Sequence, residues 1–183
     1  YNGIRQGNRN PLIYRDLGAD GLKTGHTEES GYGLTASAIR NGRRLILVLN
    51  GLSSLKARAT ESETLIEWGF REFDNYALFV AGEKVIDADV WLGEEKTVPL
   101  VVKAPLVITL PRKSRPEMKV RVVYDGPIPA PIAADAPIAK LVITAPDTKP
   151  VEIPLIAGAQ VEQLGLFGRL GAALKAVIWG QQG

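Results

Sequence analysis

A chain of 183 residues, 45% apolar and 23% charged, is long enough to bury a real core and has an ordinary globular composition. It contains no cysteine and one histidine, His26, which excludes a disulfide framework, a thiolate or multi-histidine metal site and a cysteine nucleophile. A net charge of +2, with no basic run interleaved with aromatics, gives no argument for nucleic acid, and neither a metal nor a cofactor is expected.

The opening Tyr1-Asn2-Gly3-Ile4-Arg5 has no apolar stretch after a basic start, so it is no signal peptide, and it has no initiator methionine. The expectation is that the chain begins partway through a larger protein. Residues 1–77 read as mixed α/β. Gly18 and Gly21 punctuate a turn before Leu22-Lys23-Thr24. Gly33 to Ile39 and Arg44 to Asn50, joined at Asn41-Gly42, predict a β-hairpin. Leu45, Leu47 and Leu49 alternate with Ile46 and Val48, so the second strand is apolar on both faces and is expected in a covered sheet. A helix is predicted over about Ala57 to Phe73, with Thr60 and Glu63 as a capping box if it starts at Thr60, and with Leu65, Ile66, Gly69, Phe70 and Phe73 facing the sheet.

Residues 78–160 change texture. Short runs of Val, Ile and Leu, broken by Pro and Gly, occur at Val98 to Val102, Leu106 to Leu110, Val120 to Tyr124, Leu141 to Thr144 and Val151 to Leu155. They predict a small all-β sandwich or barrel, with Asp125 to Pro137 as an extended loop or edge. Residues 161–183 switch to a helical pattern in which Leu166, Phe167, Leu170, Leu174, Val177 and Ile178 share one face, opposite Arg169 and Lys175. Within it, residues 163 to 179 are too short, and carry too many charges, for a helix spanning the ~20 residues of a bilayer. The segment suits an interfacial amphipathic anchor, or an ordinary helix docked on the β domain.

Lys23-Thr24-Gly25 is the element with chemical content. On an edge strand lining an acyl-transfer site, the lysine supplies a fixed positive charge for a substrate carboxylate and the threonine a hydroxyl donor. The glycine lets substrate approach the backbone. Taken alone the tripeptide is also compatible with a solvated turn. Its surroundings say more: Ala19-Asp20-Gly21-Leu22-Lys23-Thr24-Gly25-His26-Thr27, then Gly31-Tyr32, Leu34 and Ala36-Ser37-Ala38, with Asn8-Arg9-Asn10 upstream. Together with Arg58-Ala59-Thr60-Glu61-Ser62 and Trp68-Gly69-Phe70 they resemble the low-molecular-mass penicillin-binding proteins of the D-alanyl-D-alanine carboxypeptidase family.

That resemblance implies an α+β fold. It would be the C-terminal portion of a β-lactamase/transpeptidase-like domain (antiparallel sheet with covering helix), a small all-β sandwich and a C-terminal amphipathic helix. It implies a serine peptidase that removes the terminal D-alanine of peptidoglycan pentapeptides through an acyl-enzyme and binds β-lactams. Lys23, Thr24 and Gly25 would be the third active-site motif. The backbone at His26 would donate to an oxyanion, and Arg9 and Arg58 would serve the carboxylate end of the site. Plainer roles stand beside these: His26 as a structural histidine, Arg9 as a loop pin, Arg58 paired with Glu61 or Glu63.

The nucleophile is missing from the pattern. Ser53-Ser54-Leu55-Lys56 matches S-x-x-K formally, but it follows Lys-Thr-Gly, whereas the family's nucleophile motif precedes it. No Ser-x-Asn occurs, and Ser30-Gly31-Tyr32 ends in the wrong residue. The nucleophilic serine and its general-base lysine are therefore expected ahead of Tyr1, on an N-terminal portion of the same protein present as a separate chain, and this chain alone should be inert. The expected location is the periplasm, peripheral on the outer face of the cytoplasmic membrane. The competing reading is a non-catalytic, membrane-associated cell-wall-binding module with a degenerate transpeptidase-like half.

Overall fold

The computed structural model describes residues 2–166 and 168, so most of the helix expected over 161–183 lies outside the described residues. The described chain is mostly β-sheet with one α-helix, and it divides into two compact units, 1–75 with 111–113, and 76–110 with 114–183.

In the first unit, three strands form an antiparallel meander in the order β1 (Ala19–Thr27), β2 (Gly31–Arg40), β3 (Arg43–Leu52). The hairpin between β2 and β3 turns at Asn41 and Gly42, whose φ angles of 50° and 76° are those of the two-residue turn that Asn-Gly favours. Cross-strand partners share a face, so Leu34 with Leu49, Ala36 with Leu47 and Ala38 with Leu45 form one surface. The helix α1 (Leu55–Glu72) lies on it and buries Ile66 and Phe70. On the opposite face, Ile46 and Val48 remain 58% and 60% exposed, so the apolar pattern of β3 is covered on one side within the described residues.

The helix begins earlier than its sequence pattern suggests, and the expected Thr60/Glu63 capping box is not its start. Ser54 holds an extended conformation and its Oγ accepts from the Ala57 amide at 3.0 Å, making it the N-cap. Thr60 lies inside the helix, and Glu63 pairs with Arg15 at 2.7 Å. A short 3-10 helix over Pro11–Tyr14 packs Leu12 into the same core. At Gly18, φ is +70° and an added Cβ would lie 2.2 Å from the Ile39 carbonyl oxygen, so the turn into β1 admits no side chain.

The second unit is built from β4 (Phe73–Phe79), β5 (Lys84–Trp91), β6 (Thr97–Val102), β7 (Leu106–Pro111), β8 (Lys119–Val123), β9 (Ile128–Pro129), β10 (Pro137–Thr144) and β11 (Val151–Ala157). Six strands form a sheet in the order β8-β10-β11-β6-β5-β9, and β4 pairs with β7. Alternate residues of β6, β7 and β10, among them Val98, Leu100, Ile108, Leu141 and Ile143, fill one core. The stretch expected as an extended loop or edge contributes the edge strand β9, which runs parallel to β5 through Val90 opposite Ile128. Val161 and Gln163 make isolated bridges to Ile132 and Gly93.

Two predictions follow from the first unit. Leu34 is 2% exposed beneath α1. Leu34→Ala should cost about 2–5 kcal/mol in urea unfolding, and a loss under ~1 kcal/mol would mean this layer is not packed as described. The second concerns acid. A hydrogen bond from Arg40 holds the Glu67 carboxyl below its ordinary value, and hydrogen bonds from Ser37 and Arg44 do the same for Asp20. A carboxylate with a lowered folded-state value stabilises the fold fully above its unfolded value and loses that contribution as pH falls through the folded one. The unfolded references are 4.5 for Glu67 and 3.8 for Asp20. Glu67→Gln should therefore lower the thermal midpoint modestly at pH 7, with the gap closing below about pH 4. An undiminished gap at pH 2 would sink this account.

Candidate functional site

The Lys-Thr-Gly element lies on β1, the edge strand of the three-stranded sheet. Its register against β2 sets Lys23 opposite Thr35, Thr24 opposite Leu34, Gly25 opposite Gly33 and His26 opposite Tyr32. Side chains alternate along a strand, so Thr24 and His26 share the α1 side with Leu34 and Tyr32, while Lys23 belongs to the other face. The edge is pinned from the N-terminal side by Asn10, which is buried. Its Nδ2 donates to the Gly21 carbonyl at 2.8 Å, and its Oδ1 accepts from the Leu12 amide at 3.0 Å. That anchor holds the Asn8-Arg9-Asn10 segment beside the strand.

The first turn of α1 supplies Arg58, which is only 6% exposed. Its Nη2 donates to the Arg9 carbonyl at 3.2 Å, and its guanidinium lies 5.8 Å from the centre of the Tyr32 ring. Its Nε is buried with no hydrogen-bond partner. Among the described residues no ion pair joins it to a carboxylate, and of the two alternative partners Glu63 is taken by Arg15. Tyr32 in turn stacks on His26, ring centres 3.9 Å apart and planes tilted by 30°.

These groups line one open cleft of about 610 Å³, formed by Arg9, Thr24, Gly25, His26, Tyr32, Leu55 and Arg58. Five of the six residues singled out in the sequence thus converge. The sixth, Lys23, opens onto a cleft of about 350 Å³ on the other face with Gly33, Thr35 and Asn50, its Nζ donating to the Thr24 carbonyl at 2.9 Å. Gly25 is not required by packing, since an added Cβ would meet nothing within 4 Å. Two lining residues, Tyr32 and Leu55, escaped the sequence reading. Tyr32 was legible in principle, because a hairpin turning over residues 28–30 puts it across from His26.

Chemically the first cleft offers cations and donors. Two guanidiniums, a hydroxyl and an edge-strand backbone face it, with an apolar wall at Leu55, and neither serine nor carboxylate is among its lining residues. It can hold an anion, and a carboxylate suits a guanidinium fork best. It contains no base-activated nucleophile. Ser53 and Lys56, at the start of α1, are not among its lining residues. No group of acidic or histidine side chains that could hold a metal occurs among the described residues.

A third cleft of about 410 Å³ is richer in arginine, but three of its four arginines are paired with carboxylates. Arg40 pairs with Glu67 at 2.5 Å, Arg71 with Glu72 at 2.8 Å and Arg112 with Asp74 at 3.1 Å. Arg43 donates to the Gly69 and Phe70 carbonyls at the end of α1. This cluster ties the hairpin to the helix. Arg43 Nη1, like Arg58 Nε, is buried without a hydrogen-bond partner, but Arg58 is the more fully buried residue.

Residues 1–53 match the D-alanyl-D-alanine carboxypeptidase family, and residues 73–163 match the family described as penicillin-binding protein 5, C-terminal domain. The chain is 34% identical over 172 residues to D-alanyl-D-alanine carboxypeptidase DacD of Escherichia coli, covering 93% of this chain and 44% of that protein. It is likewise 34% identical over 173 residues to DacA of Haemophilus influenzae, with the same coverage of 93% and 44%. Among solved structures, penicillin binding protein 5 from Haemophilus influenzae superposes with a TM-score of 0.78 at 34% identity, over 89% of this chain and 48% of that one. DacD from Francisella tularensis gives 0.69 at 34% identity, over 86% and 40%. The chain spans less than half the length of these relatives. An edge strand reading Lys-Thr-Gly-His-Thr beside an unpaired buried arginine, in a chain matched along most of its length in this way, belongs to the penicillin-binding D-alanyl-D-alanine carboxypeptidase family.

Proposed function

We propose that this chain is the carboxylate-binding part of a serine-type D-alanyl-D-alanine carboxypeptidase, which trims the terminal D-alanine from peptidoglycan pentapeptides and is acylated by β-lactams. The observation that carries the reading is the buried guanidinium of Arg58, which faces the cleft beside Thr24 without a carboxylate of its own. A buried charge left unpaired is costly, and a substrate carboxylate would relieve it. The terminal carboxylate binds Arg58 and the Thr24 hydroxyl, with Arg9 at the rim. The peptide runs along the free edge of β1, passing Gly25, and the His26 amide donates to the oxyanion.

Lys23 serves the opposite side of the strand, where the nucleophile would sit. The serine and its base lysine belong to the N-terminal portion of the protein, provided as a separate chain that covers Ile46 and Val48. Serine Oγ attacks the carbonyl between the two D-alanines as its proton passes to the lysine and on to the departing amine. Water then hydrolyses the acyl-enzyme. The segment 161–183 acts as an interfacial anchor, holding the enzyme on the outer, periplasmic face of the cytoplasmic membrane. No described helix is long and apolar enough to cross a membrane.

Two measurements test the reading. A fluorescent penicillin should leave this chain unlabelled and label the protein once the N-terminal portion is present. Labelling of the isolated chain would move the nucleophile into it and overturn the assignment. In the completed protein, Gly25→Val should preserve the thermal midpoint, because the side chain enters open space. It should lower the acylation rate by roughly 100-fold by holding the ligand off the strand. Unchanged acylation would refute the edge-strand placement.

A further inference from the structure

The cleft holds two groups whose usefulness depends on orientation, and neither is fixed by an ion pair. Arg58 has one hydrogen bond, from Nη2 to the Arg9 carbonyl, while its Nε is sealed without a partner. His26 is exposed on the edge strand, and among the described residues no hydrogen bond holds its ring. Both lie against the same side chain. The Tyr32 ring is 3.9 Å from the His26 ring and 5.8 Å from the Arg58 guanidinium carbon, centre to centre. The register makes this possible, since His26 and Tyr32 are directly opposed and face the helix side from which Arg58 projects.

We infer that Tyr32 is a positioning residue, a central aromatic plate that holds Arg58 and His26 in one stack so that the guanidinium presents a fixed plane to a ligand carboxylate. The inference rests on the carboxylate-binding reading of the cleft. A planar guanidinium binds a carboxylate through two parallel hydrogen bonds only when its plane is held, and an aromatic face both holds it and stabilises its charge. The tyrosine works through its ring. Its hydroxyl is not required.

Because His26 is the only histidine, its ring resonances form a single-site reporter in the NMR spectrum of the chain. With the Tyr32 ring 3.9 Å away, they should carry a ring-current shift that survives Tyr32→Phe and disappears in Tyr32→Leu. Affinity is read by titrating N-acetyl-D-alanyl-D-alanine, with its C-terminal amide as the control lacking a carboxylate. Tyr32→Leu should weaken binding of the acid roughly tenfold, and Tyr32→Phe should restore it. In an Arg58→Gln background, Tyr32→Leu should cost nothing further, because the ring acts through the guanidinium. Tyr32→Thr, also suited to a strand, serves as the non-aromatic variant if leucine disturbs folding.

The outcomes separate the two ideas. If the acid binds the wild type better than the amide but Tyr32→Leu binds it equally well, Tyr32 positions nothing and the carboxylate reading stands. If the loss is as large without Arg58 as with it, the ring acts elsewhere and the inference is overturned. If acid and amide bind the wild type alike, or neither binds, the carboxylate reading itself fails and the positioning role falls with it.

Discussion

The site depends on a charge that the fold buries and does not pair. A guanidinium at 6% exposure loses most of its hydration, and an arginine cannot respond by deprotonating. The local compensation consists of one backbone carbonyl and one aromatic face, supplied by Arg9 and Tyr32. Neither carries a negative charge. The molecule does have the means to pair arginines, as the contacts of Arg15, Arg40 and Arg44 with Glu63, Glu67 and Asp20 demonstrate. Those pairs tie strands to one another or to other elements. Arg43 too has only neutral partners, but they are two carbonyls at the end of α1, and it is less buried than Arg58.

The second constraint is the two-residue period of the edge strand. It divides Lys-Thr-Gly between the two faces of one sheet, so the motif cannot act as a single patch. Thr24 and His26 look towards α1 and its arginine, Lys23 looks away, and Gly25 leaves the edge itself unobstructed. On the proposed reading, a substrate lying along the free edge meets carboxylate donors on one side and a lysine charge on the other. The face that Lys23 occupies is also the one that carries exposed Ile46 and Val48, so the apolar patch and the second half of the motif share a side.

What could be read from the sequence follows from how local each signal is. The Asn41-Gly42 turn and its flanking strands were legible because the turn geometry is encoded in two residues. The start of α1 was not, since both Ser54 and Thr60 offer a capping hydroxyl and only the extended backbone at Ser54 decides between them. β5 was obscured by its own composition: Lys84, Asp87 and Asp89 interrupt the apolar pattern, and of its residues only Ala88 is fully buried. Of the residues lining the cleft, Thr24, His26, Arg9 and Arg58 were singled out by the company they keep in sequence. Their division from Lys23 required the register, and the part played by Tyr32 required knowing that a helix would bring Arg58 over it.

Two glycines show where fold and site impose different demands. Gly18 is held by the fold, because a positive φ and a carbonyl 2.2 Å from any added Cβ forbid a side chain there. Gly25 lies in ordinary strand backbone with open space around it, so nothing in the packing of this chain selects glycine. A residue whose smallness the fold does not use is explained by what approaches it from outside. On the proposed reading, the visitor at β1 comes close enough to hydrogen-bond with the strand while its anionic end reaches Arg58. An extended peptide ending in a carboxylate meets both conditions. A compact anion such as phosphate would engage the arginine and leave the bare edge at Gly25 unexplained.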